Sequence, residues 1–255
     1  MDPGPGVFGP PLHAPGAGRM PARAVGQALE RYGSVVVWGR TPDWLPLDRD
    51  GAIVPGPLGD RDRQRLLALR HPAVRARLVA SRALLRTALS VPLGVPPDQV
   101  ALTTEPGGRP VVAGHPRLGV SLSHTGNMLL AGICADGRIG VDVERLDRPL
   151  AVDTLARYAC DAGEQAMLAR ADPAERAGLL LRLWTLKEAC AKAAGEGLRL
   201  RFAELGFAPG QDGPGFDGGT ECEEITGPAP RSGRWGFAYC SPTPGYTFAF
   251  ARCLH

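Results

Sequence analysis

Each half of this chain carries several β-strand patterns and one long helical pattern. Apolar spacing predicts a helix over 72–89 in the first half and another over 174–195 in the second, where a glycine marks the stop. Apolar and alternating runs predict strands at 34–38, 100–103, 118–122, 128–135, 138–144, 235–240 and 246–253. We therefore expect an α+β fold of two similar lobes, 34–136 and 137–255, each with a small antiparallel sheet on a long helix and a site at their junction.

Composition excludes several classes of protein. Hydrophobic residues make up 44% of the 255 residues and charged residues 22%, which argues against wholesale disorder. No apolar run approaches the roughly 20 residues of a membrane span, and we find no secretory signal. The six scattered cysteines lack a Cys-x-x-Cys pair, so we expect no zinc site, no disulfide framework and a cytoplasmic location. Residues 1–33, rich in Gly and Pro, are predicted to be a flexible extension, and residues 208–234 a loop-rich segment.

A strand over 139–144 places two carboxylates side by side. Alternation directs Ile139 and its i+2 neighbours to one face, and Gly140, Asp142 and Glu144 to the other. Two carboxylates on one face repel each other and favour a bound cation, and oxygen ligands with open positions suit Mg²⁺. The alternative is a solvated strand end that is paired with Arg138 or Arg145.

The second long helix carries a second cluster. Trp184, Glu188 and Lys192 are spaced i, i+4 and i+8 and therefore share one face, with Lys187 beside it. These two lysines are the only ones among 29 basic residues, which indicates a local need for an ammonium group. Glu188 is a candidate metal ligand or base, and Lys192 a candidate phosphate ligand. The alternative is an exposed helical Glu–Lys pair that stabilises by a few tenths of a kcal/mol.

Two further features point to anions. Ser123 and His124 follow a predicted strand. As neighbours on a strand they would face opposite ways, so a nucleophilic Ser–His pair is poorly supported, but a turn there could present both side chains to an anion.

Eight arginines lie between residues 61 and 86. A solvated helical face is the simpler interpretation of most of them, and a surface that binds phosphate or an acidic partner is the functional one. No nucleic-acid-binding signature accompanies them.

Together these motifs resemble the Sfp-type 4′-phosphopantetheinyl transferases, a family with two fused pseudo-twofold lobes. The resemblance runs from about Val35 to Cys253, with Arg109, Thr125 and Thr185 as mild departures from the family's usual residues. It rests on five ordered blocks: Gly108-Arg109-Pro110, Val120-Ser121-Leu122-Ser123-His124-Thr125, Gly140-Val141-Asp142-Val143-Glu144, the Trp184–Lys192 segment, and Pro244-Gly245-Tyr246.

The resemblance implies transfer of the phosphopantetheine arm of coenzyme A to a carrier-protein serine, with release of adenosine 3′,5′-bisphosphate. It implies that Asp142, Glu144 and Glu188 hold Mg²⁺, with Mn²⁺ as an alternative, and that Glu188 and Lys192 are catalytic. The residues implied to bind coenzyme A are Arg61, Arg65, Arg77, Arg109, Ser123, His124, Lys187 and Lys192.

Attack on phosphorus needs charge neutralisation and in-line positioning, which agrees with these residue types. Two other functions compete: a metal-dependent hydrolase of nucleotides or coenzyme A, and a non-catalytic module that docks carrier proteins or nucleic acid through the arginine-rich helices. We expect a monomer with acyl or peptidyl carrier proteins as partners, from fatty acid, polyketide or non-ribosomal peptide synthases, and with neither nucleic acid nor membrane as a partner.

Overall fold

The computed structural model describes residues 8–54, 56, 58–105, 108–207, 219–222, 225–226 and 232–254. Its first half contains, in chain order, β1 (Leu12–His13), α1 (Ala22–Tyr32), β2 (Ser34–Arg40), α2 (Thr41–Trp44), α3 (Asp60–Ala68), α4 (Pro72–Leu93), β3 (Leu102–Thr104), β4 (Pro110–Val112), β5 (Gly119–Thr125) and β6 (Met128–Cys134). Its second half contains β7 (Arg138–Arg145), α5 (Val152–Ala159), α6 (Ala162–Arg170), α7 (Pro173–Ala194), β8 (Gly206–Phe207), β9 (Gly219–Cys222), β10 (Ile225–Thr226), β11 (Arg234–Cys240) and β12 (Tyr246–Leu254). The predicted α+β class is confirmed.

The first half forms a four-stranded sheet in the order β1-β2-β6-β5, covered by α4. Strands β2, β6 and β5 are antiparallel, whereas β1 pairs with β2 in parallel, which differs from the purely antiparallel sheet that we predicted. Helix α4 begins with a proline in its first turn and ends at Gly94, which adopts the left-handed conformation that favours glycine. The core on this face includes Val37, Leu84, Leu85 and Leu129.

The second half forms another four-stranded sheet, β7-β12-β11-β9, which is antiparallel throughout and is covered by α7. Asp172 caps the start of α7 through the backbone N–H of Ala174, and Gly195 ends the helix in the left-handed conformation. Within the described part of the chain, no helix combines the length and apolar character needed to cross a bilayer.

The two sheets meet along β5 and β7. Ile139, Val141 and Val143 face a buried cluster that both sheets share, as the alternation predicts. The backbone N–H of Val141 donates to Ser121 Oγ at 3.1 Å, which joins β7 to β5. On the opposite face of β7, Gly140 lies against the backbone of α7, so close that an added Cβ would be 2.6 Å from the Ala193 nitrogen. The absence of a side chain at Gly140 therefore sets the distance between strand and helix.

One prediction about a poorly patterned segment is wrong. Residues 8–33 do not form a flexible extension: they supply β1 and α1, and Phe8, Ala14 and Val25 are buried in the cores. The apolar face of α1 packs on the first lobe and outweighs the local Gly and Pro content. Residues 1–7 of that prediction lie outside the described residues. The segment 208–234, predicted to be loop-rich, is described only in part. It contains the short strands β9 and β10, which pair with β11 and β8; the rest of the segment, apart from residues 232–234, lies outside the described residues.

Candidate active site

A cavity of about 390 Å³ opens where β5 and β7 meet α7, with α3 and α4 on its other side. Its polar lining combines Ser123 and His124 from β5, Asp142 and Glu144 from β7, and Glu188 and Lys192 from α7. The rest of the lining consists of Arg65, Leu69, Val74, Leu78, Ser81, Arg82, Gly108, Pro110, Leu122 and Trp184. Both lobes therefore contribute to one site, and the two motif clusters of the sequence meet there.

Lys192 lies at the centre of the polar wall. Its Nζ donates to Asp142 Oδ1 at 2.7 Å, to Ser123 Oγ at 3.0 Å and to the Val141 carbonyl at 3.0 Å. The hydroxyl of Ser123 in turn donates to Asp142 Oδ1 at 2.7 Å. Because Ser123 is on β5, Asp142 on β7 and Lys192 on α7, these bonds fix three elements relative to one another.

The other two carboxylates share the electrostatic field of Asp142. Burial raises the pKa of Glu188 above its ordinary range, and the charges of Asp142 and Glu144 raise it further, while Lys192 opposes the shift. Burial and Asp142 likewise raise the pKa of Glu144, against Arg148 and a hydrogen bond from Thr125. Glu144 is ion-paired with Arg148. Burial and the closeness of the three carboxylates therefore both disfavour the charged forms of Glu144 and Glu188.

The three carboxylates fit magnesium in donor type but are not grouped as a formed metal centre. Among the described residues, no three acidic, histidine or cysteine side chains are placed as ligands of one ion. Asp142 and Glu144 instead contact Lys192 and Arg148. The donors are nevertheless all carboxylate oxygens, and their mutual repulsion is the condition that a divalent cation relieves. Magnesium commonly keeps waters and takes phosphate oxygens, so it needs few protein ligands.

Cationic groups line the side of the site next to His124. Burial lowers the pKa of His124, and the nearby charges of Arg77, Lys192 and Arg65 lower it further. Arg65 lines the cavity. Arg77 donates to the Gly126 carbonyl at 3.4 Å, and its buried Nε has no hydrogen-bond partner among the described residues. Because positive charge surrounds a neutral imidazole, this region is suited to a bound anion.

Four predicted coenzyme A ligands are not in the cavity lining: Arg77, whose charge lies near His124, and Arg61, Arg109 and Lys187. Arg61 donates to the Glu105 carbonyl at 2.6 Å. Arg109 lines a separate cavity of about 370 Å³ at the opposite end of β5, although its neighbours Gly108 and Pro110 line the site. Lys187 is fully buried and ion-paired with Glu164, so the prediction that it binds coenzyme A is wrong.

One group of site residues was missed. The sequence favours a solvated arginine face for Arg82, but this side chain is buried, lines the cavity and forms a two-pronged ion pair with Asp62 at 2.5 and 2.8 Å. Arg86 is also buried and donates to the Val100 carbonyl. A signal was available: an aspartate on α3 offers a partner for an arginine on α4, and buried arginines need one.

Comparison with known proteins agrees with the motifs. Residues 138–223 match the family model described as the 4′-phosphopantetheinyl transferase superfamily, and this range contains Asp142, Glu144, Glu188 and Lys192. The 4′-phosphopantetheinyl transferase HetI of Nostoc is 32% identical over 142 residues, which cover 54% of this chain and 60% of HetI. The 4′-phosphopantetheinyl transferase psf-1 of Bacillus pumilus is 28% identical over 138 residues, 54% of this chain and 58% of that relative. The 4′-phosphopantetheinyl transferase Sfp of Bacillus subtilis is 22% identical over 175 residues, 64% of this chain and 77% of Sfp.

The fold and the site agree with the class that these comparisons indicate: residues 138–223 are similar to the 4′-phosphopantetheinyl transferase superfamily. The resemblance inferred from the motif blocks is thereby confirmed. The chain spans about 60% of the length of HetI and of psf-1, two of the curated relatives that it matches.

Proposed function

We propose that this protein transfers the 4′-phosphopantetheine arm of coenzyme A to a serine hydroxyl of an apo carrier protein and releases adenosine 3′,5′-bisphosphate. The observation that carries the proposal is the meeting of Asp142, Glu144, Glu188 and Lys192 at one cavity shared by both lobes. The similarity to proteins named 4′-phosphopantetheinyl transferases supports the same reaction.

Glu188 is the best-placed general base. A serine hydroxyl is a poor nucleophile until its proton is taken, and a carboxylate with a raised pKa accepts that proton more readily. Glu188 lies on α7 one turn before Lys192, so the same helix presents the base and a cation to the cavity. We propose that Glu188 accepts the proton directly or through a water.

Lys192 supplies positive charge where the bond to phosphorus breaks. Its ammonium is held by Asp142 and Ser123, which orient it before the substrate binds. Such preorganised charge stabilises a developing phosphate anion without reorganisation during the reaction. We propose that His124, Arg65 and Arg77 bind the nucleotide end of coenzyme A.

Asp142, Glu144 and Glu188 would hold Mg²⁺, with Mn²⁺ as a substitute, and the ion would neutralise charge on the pyrophosphate. We propose acyl or peptidyl carrier proteins of fatty acid, polyketide or non-ribosomal peptide synthases as the acceptors, and a monomer as the active form, because one chain supplies both walls of the site.

The test is intact-mass spectrometry of apo carrier proteins incubated with the protein, coenzyme A and Mg²⁺, and in parallel with EDTA. We expect a metal-dependent gain of one phosphopantetheine arm. Glu188→Gln should abolish the gain with the fold retained, whereas Glu175→Gln, at an exposed position near the start of the same helix, should not. Coenzyme A breakdown without carrier modification would instead identify a hydrolase. Full transfer by Glu188→Gln would refute the assignment of the base.

A further inference from the structure

A lysine buried inside the second lobe takes no part in the proposed reaction. Lys187 is 0% exposed, and its Nζ donates to the Ala159 carbonyl at 2.5 Å, to Glu164 Oε2 at 2.5 Å and to the Phe202 carbonyl at 2.9 Å. An ammonium has three protons to donate, and each one here has an acceptor. A buried charge is tolerated only when it is paired and hydrogen-bonded in this way.

Glu164 extends the same network to further backbone groups. Its Oε2 accepts from the Asp161 N–H at 2.9 Å, as part of a capping box at the start of α6, and its Oε1 accepts from the Phe207 N–H at 3.0 Å. The ion pair therefore fastens two separate segments, 159–164 and 202–207, to one point on α7.

The second of these segments supports a wall of the active site. The ring of Phe202 contacts that of Trp184 edge-on, with ring centroids 5.4 Å apart and planes at 70°. Trp184 packs on the buried cluster of Ala159, Ala191 and Phe202, and it also lines the catalytic cavity. Two members of that cluster, Ala159 and Phe202, are the residues whose carbonyls Lys187 holds.

We propose that Lys187 is a positioning residue: through the backbone of Phe202 it fixes the surface against which Trp184 packs, and so sets the apolar wall that faces coenzyme A beside Glu188. The charge of Glu164 serves to keep the ammonium in place. The kinetic part of this inference rests on the proposed function; the structural part does not.

The central variant is the double substitution Lys187→Met with Glu164→Gln, which removes both charges at similar volume and leaves no unpaired buried ion. The matched control is Arg117→Met with Asp136→Asn, which removes an exposed ion pair outside the cavity lining. A third variant, Phe202→Leu, keeps the ion pair and its backbone acceptor but removes the ring contact with Trp184.

Three readouts apply to each variant: the melting temperature, the ¹⁹F NMR spectrum of protein labelled with 5-fluorotryptophan, and the steady-state constants. Trp184→Phe identifies the resonance of Trp184 among those of the four tryptophans. We expect the Lys187/Glu164 double variant and Phe202→Leu to shift or broaden that resonance. We also expect both to raise KM for coenzyme A by up to about tenfold, the range given by loss of an aromatic pair, with KM for the carrier protein unchanged.

A folded double variant with an unaltered Trp184 resonance and unaltered constants would overturn the proposal and leave the pair a purely structural one. If the double variant fails to fold, Phe202→Leu decides by the same criteria. If the wild-type protein transfers nothing, the proposed function fails, and the Trp184 resonance together with calorimetric binding of coenzyme A still tests the positioning role.

Discussion

Substitution of Gly140 by alanine is the sharpest test of how the site is assembled. Gly140 lies on β7 two residues before Asp142, and its α-carbon faces the backbone of α7. A Cβ added there would be 2.6 Å from the Ala193 nitrogen and nearer still to the Ala189 carbonyl oxygen. Both neighbours are main-chain atoms of a long helix, so neither can rotate away as a side chain would.

The displacement and its cost follow from these distances. Ordinary contact begins at 3.4 Å, so the Ala193 nitrogen would have to move out from 2.6 Å to that distance, and the nearer Ala189 oxygen requires a still larger withdrawal of the helix. Overpacking of this kind costs about 3 kcal/mol. For a chain of this size that corresponds to a melting temperature lower by roughly 6–12 °C. Because Glu188 and Lys192 are on α7 and Asp142 is on β7, the same movement pulls these proposed catalytic groups apart, and a misplacement of about 1 Å can reduce the rate about 100-fold.

The assay compares thermal unfolding and initial transfer rates at a temperature at which all variants are folded. Gly178→Ala is the control on the same helix. No atom of the described residues lies within 4 Å of its added Cβ, so we expect a gain of up to about 1 kcal/mol in stability and an unchanged rate. If Gly140→Ala melts and reacts like the wild type, the close contact of β7 and α7 does not set the site geometry, and the reasoning is refuted.

Three further predictions follow from individual groups. Ser121→Ala should destabilise the protein by about 1–3 kcal/mol in urea unfolding, because it removes the acceptor of the buried Val141 N–H; an unchanged midpoint would contradict this. Calorimetry of adenosine 3′,5′-bisphosphate binding near pH 7 should show proton uptake, and binding should become tighter as pH falls. The lowered pKa leaves His124 neutral in the free protein, and a bound phosphate favours its protonated form. His124→Asn should lose the proton uptake, whereas a binding heat in the wild type that does not depend on the buffer would contradict this role. Labelling of the Cys160 and Cys240 thiols at pH 8 should be at least about 100-fold slower in the native protein than in urea. Only thiolates react, and burial raises the pKa of Cys160 to about 11 and that of Cys240 to about 12. Rapid labelling of either thiol in the native protein would contradict its burial.

The strand and helix that carry the chemistry could be predicted because their patterns are local. Alternation placed Asp142 and Glu144 on one face of β7, and the i, i+4, i+8 spacing placed Glu188 and Lys192 together on α7; both placements are confirmed by the cavity lining. Lys187 could not be assigned in this way. It is one residue from Glu188, and α7 is buried on most of its circumference, so spacing alone could not show which neighbours its side chain meets.

The burial of α1 and of Arg82 depends on contacts with residues distant in the sequence, which local patterns do not show. The helix α1 lies in a segment rich in Gly and Pro, and only its packing against α4 and β2 makes it part of the core. The burial of Arg82 could not be predicted without its ion-pair partner, Asp62, which lies 20 residues earlier in the chain. Local composition describes a segment, whereas burial of a charge depends on which residues the fold brings to it.

The position of β12 in the second sheet bears on when this protein becomes competent during synthesis. β7 pairs with β12, so Arg138 lies opposite Cys253, and β12 separates β7 from β11. A nascent chain that already contains every residue of the cavity still lacks the partner of the strand that carries Asp142 and Glu144. The segment between β7 and β12 forms a long loop, and closing such a loop is slow compared with forming local hairpins. The acidic wall of the site therefore becomes rigid only after β12 has emerged from the ribosome, and the cluster shared by both sheets is completed at the same point, because Phe248 and Phe250 of β12 belong to it.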